Sequence, residues 1–322
     1  MKRPSSDLYD LIHALDAQEA RYCKSRMRET DSRSAEIFEW ILQQDEYDEE
    51  ALRKAVGPAL KGNQWSVAKH YLYQNILAFL MHRRRNEFSA WNIRVRLQYL
   101  DILFGKELYG QCRKSLKHIE RAATKLDHPM LLHEVLQWYF KLHQRNYHRV
   151  DHDEFEALSL RFRSNAEALE EYTQYQYLHQ EFLYRLRTKG LFKGKNRQEM
   201  SFADLLSHPL LQSDTTPRSR AARILYLYIH GTFSFISGNP AQARDHFAEI
   251  VDLMQAHSGY QQIDPGIYFG ALYWRAISCI QTLDFEPARA TARKMASFRA
   301  SSAFYRARLF FYRSELYRAW LS

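Results

Sequence analysis

Turn-forming residues are scarce in this chain of 322 residues: 11 glycines and eight prolines are about half the share of an average globular protein. That scarcity excludes a sandwich or barrel of many short strands joined by tight turns. Strand-length runs that alternate apolar and polar residues are missing too, which leaves no place for a sheet. Cysteines number only three. Cys23, Cys112 and Cys279 are odd in number and far apart, so they build neither a disulfide framework nor a zinc knuckle. Each falls on an apolar helical position and reads as a small buried residue. No window approaches the ~20 apolar residues of a membrane span, and the opening stretch MKRPSSDLYDLIHALD lacks the continuous apolar core of a signal peptide. These absences describe a reduced, cytoplasmic, nearly all-helical protein with no membrane partner.

What is present is helical periodicity, recurring from Leu8 to Leu321. Leu8, Leu11, Ile12 and Leu15 mark one helix from Asp7 to about Lys24, with Ser6 or Asp7 as cap. A second spans about Ser34 to Gln44. In the acidic run from Asp45 to Glu50, Asp48 is placed to cap a helix that begins near Glu49, where carboxylates suit the positive end of the helix dipole. Ser66 then caps a long helix with Ala68, Tyr71, Leu72, Ile76, Phe79 and Leu80 inward. Arg83, Arg84 and Arg85 close it at the negative end of its dipole.

The most legible stretch runs from Arg223 to Met254. A first helix ends near Ser237, Gly238 takes the left-handed position beyond it, Asn239 caps the next helix and Pro240 opens it. Ala243, Phe247, Ile250, Val251 and Met254 share one face of that second helix. Gly231, inside the first helix, would cost stability without a packing purpose, and close contact with Ala243 supplies one.

Gly231, Ala243 and Phe247 hold places that resemble the small, alanine and aromatic positions of the tetratricopeptide repeat. Leu227 and Ser234 depart from that family's tryptophan and tyrosine. A second unit from Trp91 puts Cys112 and Leu116 at the alanine and aromatic positions. A third pairs Ala276 with Ala288. Ala243 and Ala288 are 45 residues apart, against about 34 in the family, so an extended loop is expected between Met254 and Gly266. The stretches DLYDLIHALDAQEARYCK, DEYDEEALRKA and SVAKHYLYQNIL are similar to the opening of a group of uncharacterised bacterial all-helical proteins. The resemblance implies an all-α fold of helical hairpins, a tetratricopeptide-like right-handed solenoid behind a helical N-terminal segment. Tetratricopeptide proteins that clamp acidic tails carry asparagine and lysine where this chain has Tyr228, Thr232, Tyr273 and Ile277, so that mode is not carried over. The expected organisation is a helical segment over 1–87, degenerate repeats over 88–187, a linker-like stretch over 188–217 and repeats over 218–322.

Signals for chemistry are thin. GLFKGKN has its glycines one residue too close for a phosphate loop and Asn196 where serine or threonine is required. His143, His148 and His152, with Asp151 and Asp153, are the densest group of metal-ligand types, yet they read as a polar connection between helices. No catalytic, cofactor or metal residue is assigned.

Charge is the remaining signal. The chain carries 46 basic against 37 acidic side chains, and the excess gathers from Arg289 onward, where Glu315 is the single acid. In the last segment Tyr305, Leu309, Tyr312, Leu316 and Trp320 form one stripe while further aromatics occupy other faces. A terminal repeat helix normally shows a polar outer face, so Arg299, Phe304, Arg306, Phe311, Arg313, Tyr317 and Arg318 are the candidate partner-binding residues. The reading is a non-enzymatic helical-repeat scaffold for protein–protein interaction or self-association, including a homodimer through this segment. The alternative is nucleic-acid binding by the same basic, aromatic surface.

Overall fold

A computed structural model describes residues 6–56, 64–84, 90–145, 152–189, 202–214, 217–256 and 260–297. The protein is all-α, and among the described residues there is no strand. It divides into two compact units, whose described residues are 6–84 and 90–297.

Unit 1 holds α1 (Asp7–Ala14), α2 (Ala17–Thr30), α3 (Ser32–Leu42), α4 (Glu49–Val56) and α5 (Gln64–Arg84). Ile12, Cys23, Phe38, Ile41, Leu52, Leu72 and Ile76 form its core. The single helix expected from Asp7 to Lys24 is two, because Asp16 starts a new one. Its carboxylate accepts from the Gln18 and Glu19 amides at 2.7 Å each, and Glu19 accepts from the Asp16 amide at 3.1 Å. A reciprocal cap of this kind is worth about 1 kcal/mol, enough to decide where a short helix begins. Ser66 sits inside α5 and does not precede it. Tyr71, expected inward, is exposed.

Asp48 does cap α4, accepting from the Ala51 amide at 2.9 Å. Glu49 goes further than a dipole role. It accepts from Trp65 Nε1 and Lys69 Nζ at 2.9 Å and from Tyr47 Oη at 3.0 Å, tying α4 to α5. Burial works against its charge, but the bonds from Lys69, Tyr47 and Trp65 outweigh it and hold the carboxyl below the usual range.

Unit 2 holds α6 (Ala90–Gly105), α7 (Tyr109–Leu126), α8 (Pro129–Gln144), α9 (His152–Lys189), α10 (202–206), α11 (Arg220–Ile236), α12 (Pro240–Gln255), α13 (Tyr260–Ile263), α14 (Pro265–Gln281) and α15 (Phe285–Ser297). The long helices pack in chain order, α6 on α7 on α8 on α9, then α9 on α11 and onward to α15.

Three of its helix pairs turn in the same way. The α6/α7, α11/α12 and α14/α15 turns each place one residue in the left-handed region: Glu107 (φ 59°), Gly238 (φ 84°) and Leu283 (φ 62°). In each, the next amide closes a bond to the carbonyl five residues back: Leu108 to Leu103 at 3.0 Å, Asn239 to Ser234 at 2.8 Å and Asp284 to Cys279 at 2.8 Å. This closure satisfies carbonyls that a helix end leaves open. Counting from the left-handed residue, seven back lie Leu100, Gly231 and Ala276, and five forward lie Cys112, Ala243 and Ala288. All six are buried or closely packed. Cys112 Sγ approaches the Leu100 carbonyl at 4.0 Å.

Gly231 meets a different neighbour from the one expected. A Cβ there would lie 3.0 Å from two ring carbons of Phe247 and 3.1 Å from Cβ of His246, so the aromatic position and not Ala243 sets its size. The loop expected between Met254 and Gly266 contains α13, whose Tyr260 is buried. Residues 202–211 also pack. Phe202, Leu205 and Leu211 are buried, the Phe202 ring lies 4.8 Å from Phe182, and Tyr175 donates to the Leu210 carbonyl at 2.7 Å.

The turns give a prediction with opposite signs at equivalent places. Leu283→Gly relieves a left-handed side chain that is 72% exposed, for a gain of about 0.5–1 kcal/mol. Gly238→Ala introduces that strain and costs about 1 kcal/mol. Gly231→Ala gains about 1 kcal/mol of helix propensity and loses about 1–3 kcal/mol to crowding under Phe247, a net loss. Urea midpoints of the three variants check all three signs.

Candidate interaction surfaces

The predicted partner-binding residues Arg299, Phe304, Arg306, Phe311, Arg313, Tyr317 and Arg318 lie outside the described residues, as do His148, Asp151 and the GLFKGKN stretch. Of the histidine group, His152 is an exposed residue 3.3 Å from Glu156, and His143 has its ring edge-on to Phe155 at 5.9 Å. Among the described residues no three histidine, cysteine or acidic side chains converge on a metal-sized site. The three cysteines are free and buried, and burial, aided by Glu19 against the opposing Arg83, pushes the Cys23 thiol up to about 11. A thiol so placed is a packing group and a poor nucleophile at neutral pH.

Unit 2 has a cleft of about 460 Å³ where α7 ends, α8 begins and α9 passes the start of α11. Local backbone geometry builds it. Asp127 ends α7 in the left-handed region (φ 52°), and Pro129 opens α8 at once, where its missing N–H costs nothing. Asp127 accepts from the Arg220 amide at 2.8 Å, while Arg220 Nη1 donates to the Lys125 and Leu126 carbonyls at 3.1 Å each. The start of α11 thereby closes the end of α7, with the arginine charge at the negative end of the α7 dipole. Asn165 of α9 donates to the Pro129 carbonyl at 3.2 Å.

The arginines of this cleft are held by carboxylates. Arg161 is paired with Glu120, and Arg218 is paired with Glu167 at 2.6 Å and Glu171 at 3.4 Å. His128 lines the wall with Nδ1 enclosed and without a hydrogen-bond partner. Its ring is edge-on to Tyr172 at 5.1 Å and 6.4 Å from Tyr260. Burial, helped by Arg94, lowers its pKa to about 4, so the imidazole is neutral at physiological pH. The arrangement can hold helices together and can hydrogen-bond a neutral polar group. Its two lining arginines, Arg161 and Arg218, are each engaged by a carboxylate.

Two more histidines behave alike. His179 is buried against the Tyr228 ring at 5.1 Å and burial lowers it to about 4. His230, lowered to about 4 by burial and then by His246, bonds to the Leu211 carbonyl at 3.0 Å. From sequence these histidines read as scattered packed or surface residues. Their apolar helical neighbours were the signal that they are core, and chain separation hid their partners: Tyr172 of α9 for His128, Tyr228 of α11 for His179 and the Leu211 carbonyl for His230.

The second kind of surface is apolar. Val67, Tyr71, Leu77 and Met81 on α5, and Trp91 and Ile102 on α6, are large side chains left exposed. Both helices are apolar around most of their circumference, a pattern of helices covered on two sides. Sequence periodicity placed Tyr71 inward, where the structure leaves it exposed, and passed over the others.

No protein-family model, curated protein or solved structure matches the chain.

The buried histidines set a pH dependence. Each has a folded pKa near 4 against about 6.5 unfolded, so the unfolded chain binds more protons between those values. Stability is whole above about pH 6.5 and falls as pH drops toward 4, with a slope of at most about 4 kcal/mol per pH unit for three protons. Urea titrations at stepped pH should show this, and His179→Gln should remove about one proton from the slope.

Proposed function

We propose that unit 2 is a degenerate tetratricopeptide-like solenoid and that the chain serves as a non-enzymatic scaffold, binding another protein chain or a second copy of itself. The observation that carries this reading is the register shared by three helix pairs. In each, a left-handed residue falls seven positions after one packed site and five before the next. A common turn with a twelve-residue spacing is what a repeated hairpin unit requires, since each hairpin buries its apolar face only against its neighbours. The long α9 and the inserted α13 are departures from that pattern, consistent with a degenerate array.

Such arrays act by presenting surface. The outer face of α6, the first helix of unit 2, carries Trp91 and Ile102, eleven residues apart and so on one side, with Ile102 62% exposed and Leu108 exposed in the following turn. An end helix that nothing stacks upon is expected to be polar there; a contiguous apolar patch marks a contact surface.

Light scattering across a wide concentration range, with affinity capture of partners, tests this on the parent and Ile102→Glu. The parent should self-associate or hold a specific protein, and the variant should lose about tenfold or more in affinity, a difference of about 1.4 kcal/mol. A parent that stays monomeric and captures the same proteins as the variant removes the reading. Captured nucleic acid that dissociates steeply with salt replaces it with the nucleic-acid alternative.

A further inference from the structure

A helix face that meets only water commonly mixes charges of both signs, and α9 does so with exposed Glu154, Glu156, Arg161, Arg163, Glu167 and Glu170. The solvent face of α7 does not. Its exposed titratable side chains are Arg113, Lys114, Lys117, His118, Arg121 and Lys125, which fall within an arc of about 140° at 100° per residue. The buried Cys112, Leu116, Ile119, Ala123 and Leu126 occupy the opposite side. Only Gly110 and Thr124 share the basic arc, so no acidic, aromatic or apolar side chain interrupts it. The one acid of α7, Glu120, lies outside the arc, where it pairs with Arg161 and accepts from Tyr139. Among the described residues, none of the five lysines and arginines of the arc lies in an ion pair.

This pattern works against the helix that carries it. Arg113 with Lys117, Lys114 with Lys117, Lys117 with Arg121 and Arg121 with Lys125 are like-charge pairs three or four residues apart, and each opposes helix formation. A partner of opposite charge relieves all four at once. We propose that this face of α7 receives an acidic segment of a partner protein, with aspartates and glutamates three or four residues apart along one side of a helix. The inference rests on the protein-binding reading given above and names the chemistry of the partner.

The limits of the strip select that occupant. Arg113 and Lys125 are twelve residues apart, about 18 Å along the helix, and an exposed carboxylate stands beyond each end, Glu107 before and Asp127 after. A nucleic-acid duplex laid along the strip, with one charge per about 1.7 Å, would be carried onto both. A short acidic segment ends where the basic side chains end. A single nucleic-acid strand gains its hold by stacking on aromatics, and a helix on a membrane by sinking apolar residues into it; the arc has neither. Glutamates four apart on a helix recur about every 6 Å, as do Arg113, Lys117, Arg121 and Lys125. Two of those four are arginines, which can take a carboxylate through two parallel bonds.

The test uses the full chain and a fluorescent helical peptide of about 16 residues with glutamate at every fourth position, beside its glutamine counterpart. Anisotropy at low salt compares the parent with Lys117→Glu/Arg121→Glu. Docking predicts that the parent binds the glutamate peptide and not the glutamine one, and that the double variant loses about tenfold or more in affinity. The variant should melt no lower than the parent, because three of the four like-charge pairs become opposite-charge pairs. Ile102→Glu should bind the peptide as the parent does, so a failure on α7 and a failure of the α6 contact are read separately. Peptide binding that is equal in parent and double variant, or absent from the parent, overturns the proposal. So does tighter binding of a mixed-sequence duplex or of phosphatidylserine vesicles that the double variant loses, which assigns the face to nucleic acid or to a membrane. If the double variant lacks a cooperative thermal transition, Lys117→Gln/Arg121→Gln takes its place and is held to the same criterion.

Discussion

The left-handed residue at the end of a helix is the constraint on which unit 2 depends. Once Glu107, Gly238 and Leu283 turn the chain, one amide in each case reaches back five residues to a carbonyl that would otherwise be open. That bond fixes the direction of departure, and the direction decides which side chains of the second helix meet which of the first. Leu100 with Cys112 shows the result most plainly, because the thiol sits at the carbonyl of the residue twelve positions earlier. Glycine supplies the conformation without strain at one turn only. At the other two an exposed leucine and an exposed glutamate take it, held by the packing of the helices that flank each turn, so the helices stabilise the turn as much as the turn directs the helices.

Much of this was legible in the sequence, and the failures have physical causes. Gly238, Asn239 and Pro240 announced the α11/α12 turn because each has a conformational reason to be there. The α6/α7 and α14/α15 turns carried no glycine at the left-handed site, so only the spacing of small residues pointed to them. The break between α1 and α2 was missed because apolar periodicity runs straight across it, while the Asp16 and Glu19 cap that imposes it is a local hydrogen-bond signal of two residues. Tyr260 was assigned to an extended loop because a helix of four residues has no period to detect. The contact it makes is with His128, Tyr172 and Arg220, all distant in sequence.

The site was less legible than the fold. In one dimension the histidines and arginines are scattered and define no site. In three dimensions Arg161, Arg218 and Arg223 are each engaged with a carboxylate, and His128, His179 and His230 are kept neutral by burial. Among the features left open to other molecules are ordinary apolar residues of α5 and α6. They were passed over or, like Tyr71, placed inward, because a helix with apolar residues on most sides reads as well packed and only three-dimensional neighbours distinguish a covered side from a bare one.

Arg220 has one more consequence. Its side chain holds the last carbonyls of α7 from a position 95 residues further along the chain, its amide binds Asp127, and its guanidinium lies 5.9 Å above the Tyr260 ring. A stack of hairpins joined only to their neighbours can be peeled by a pulling force one unit at a time, each giving way at low load. Here the start of α11 is fastened to the end of α7 and to Tyr260 of α13, so a force that opens α11 has to break those contacts as well.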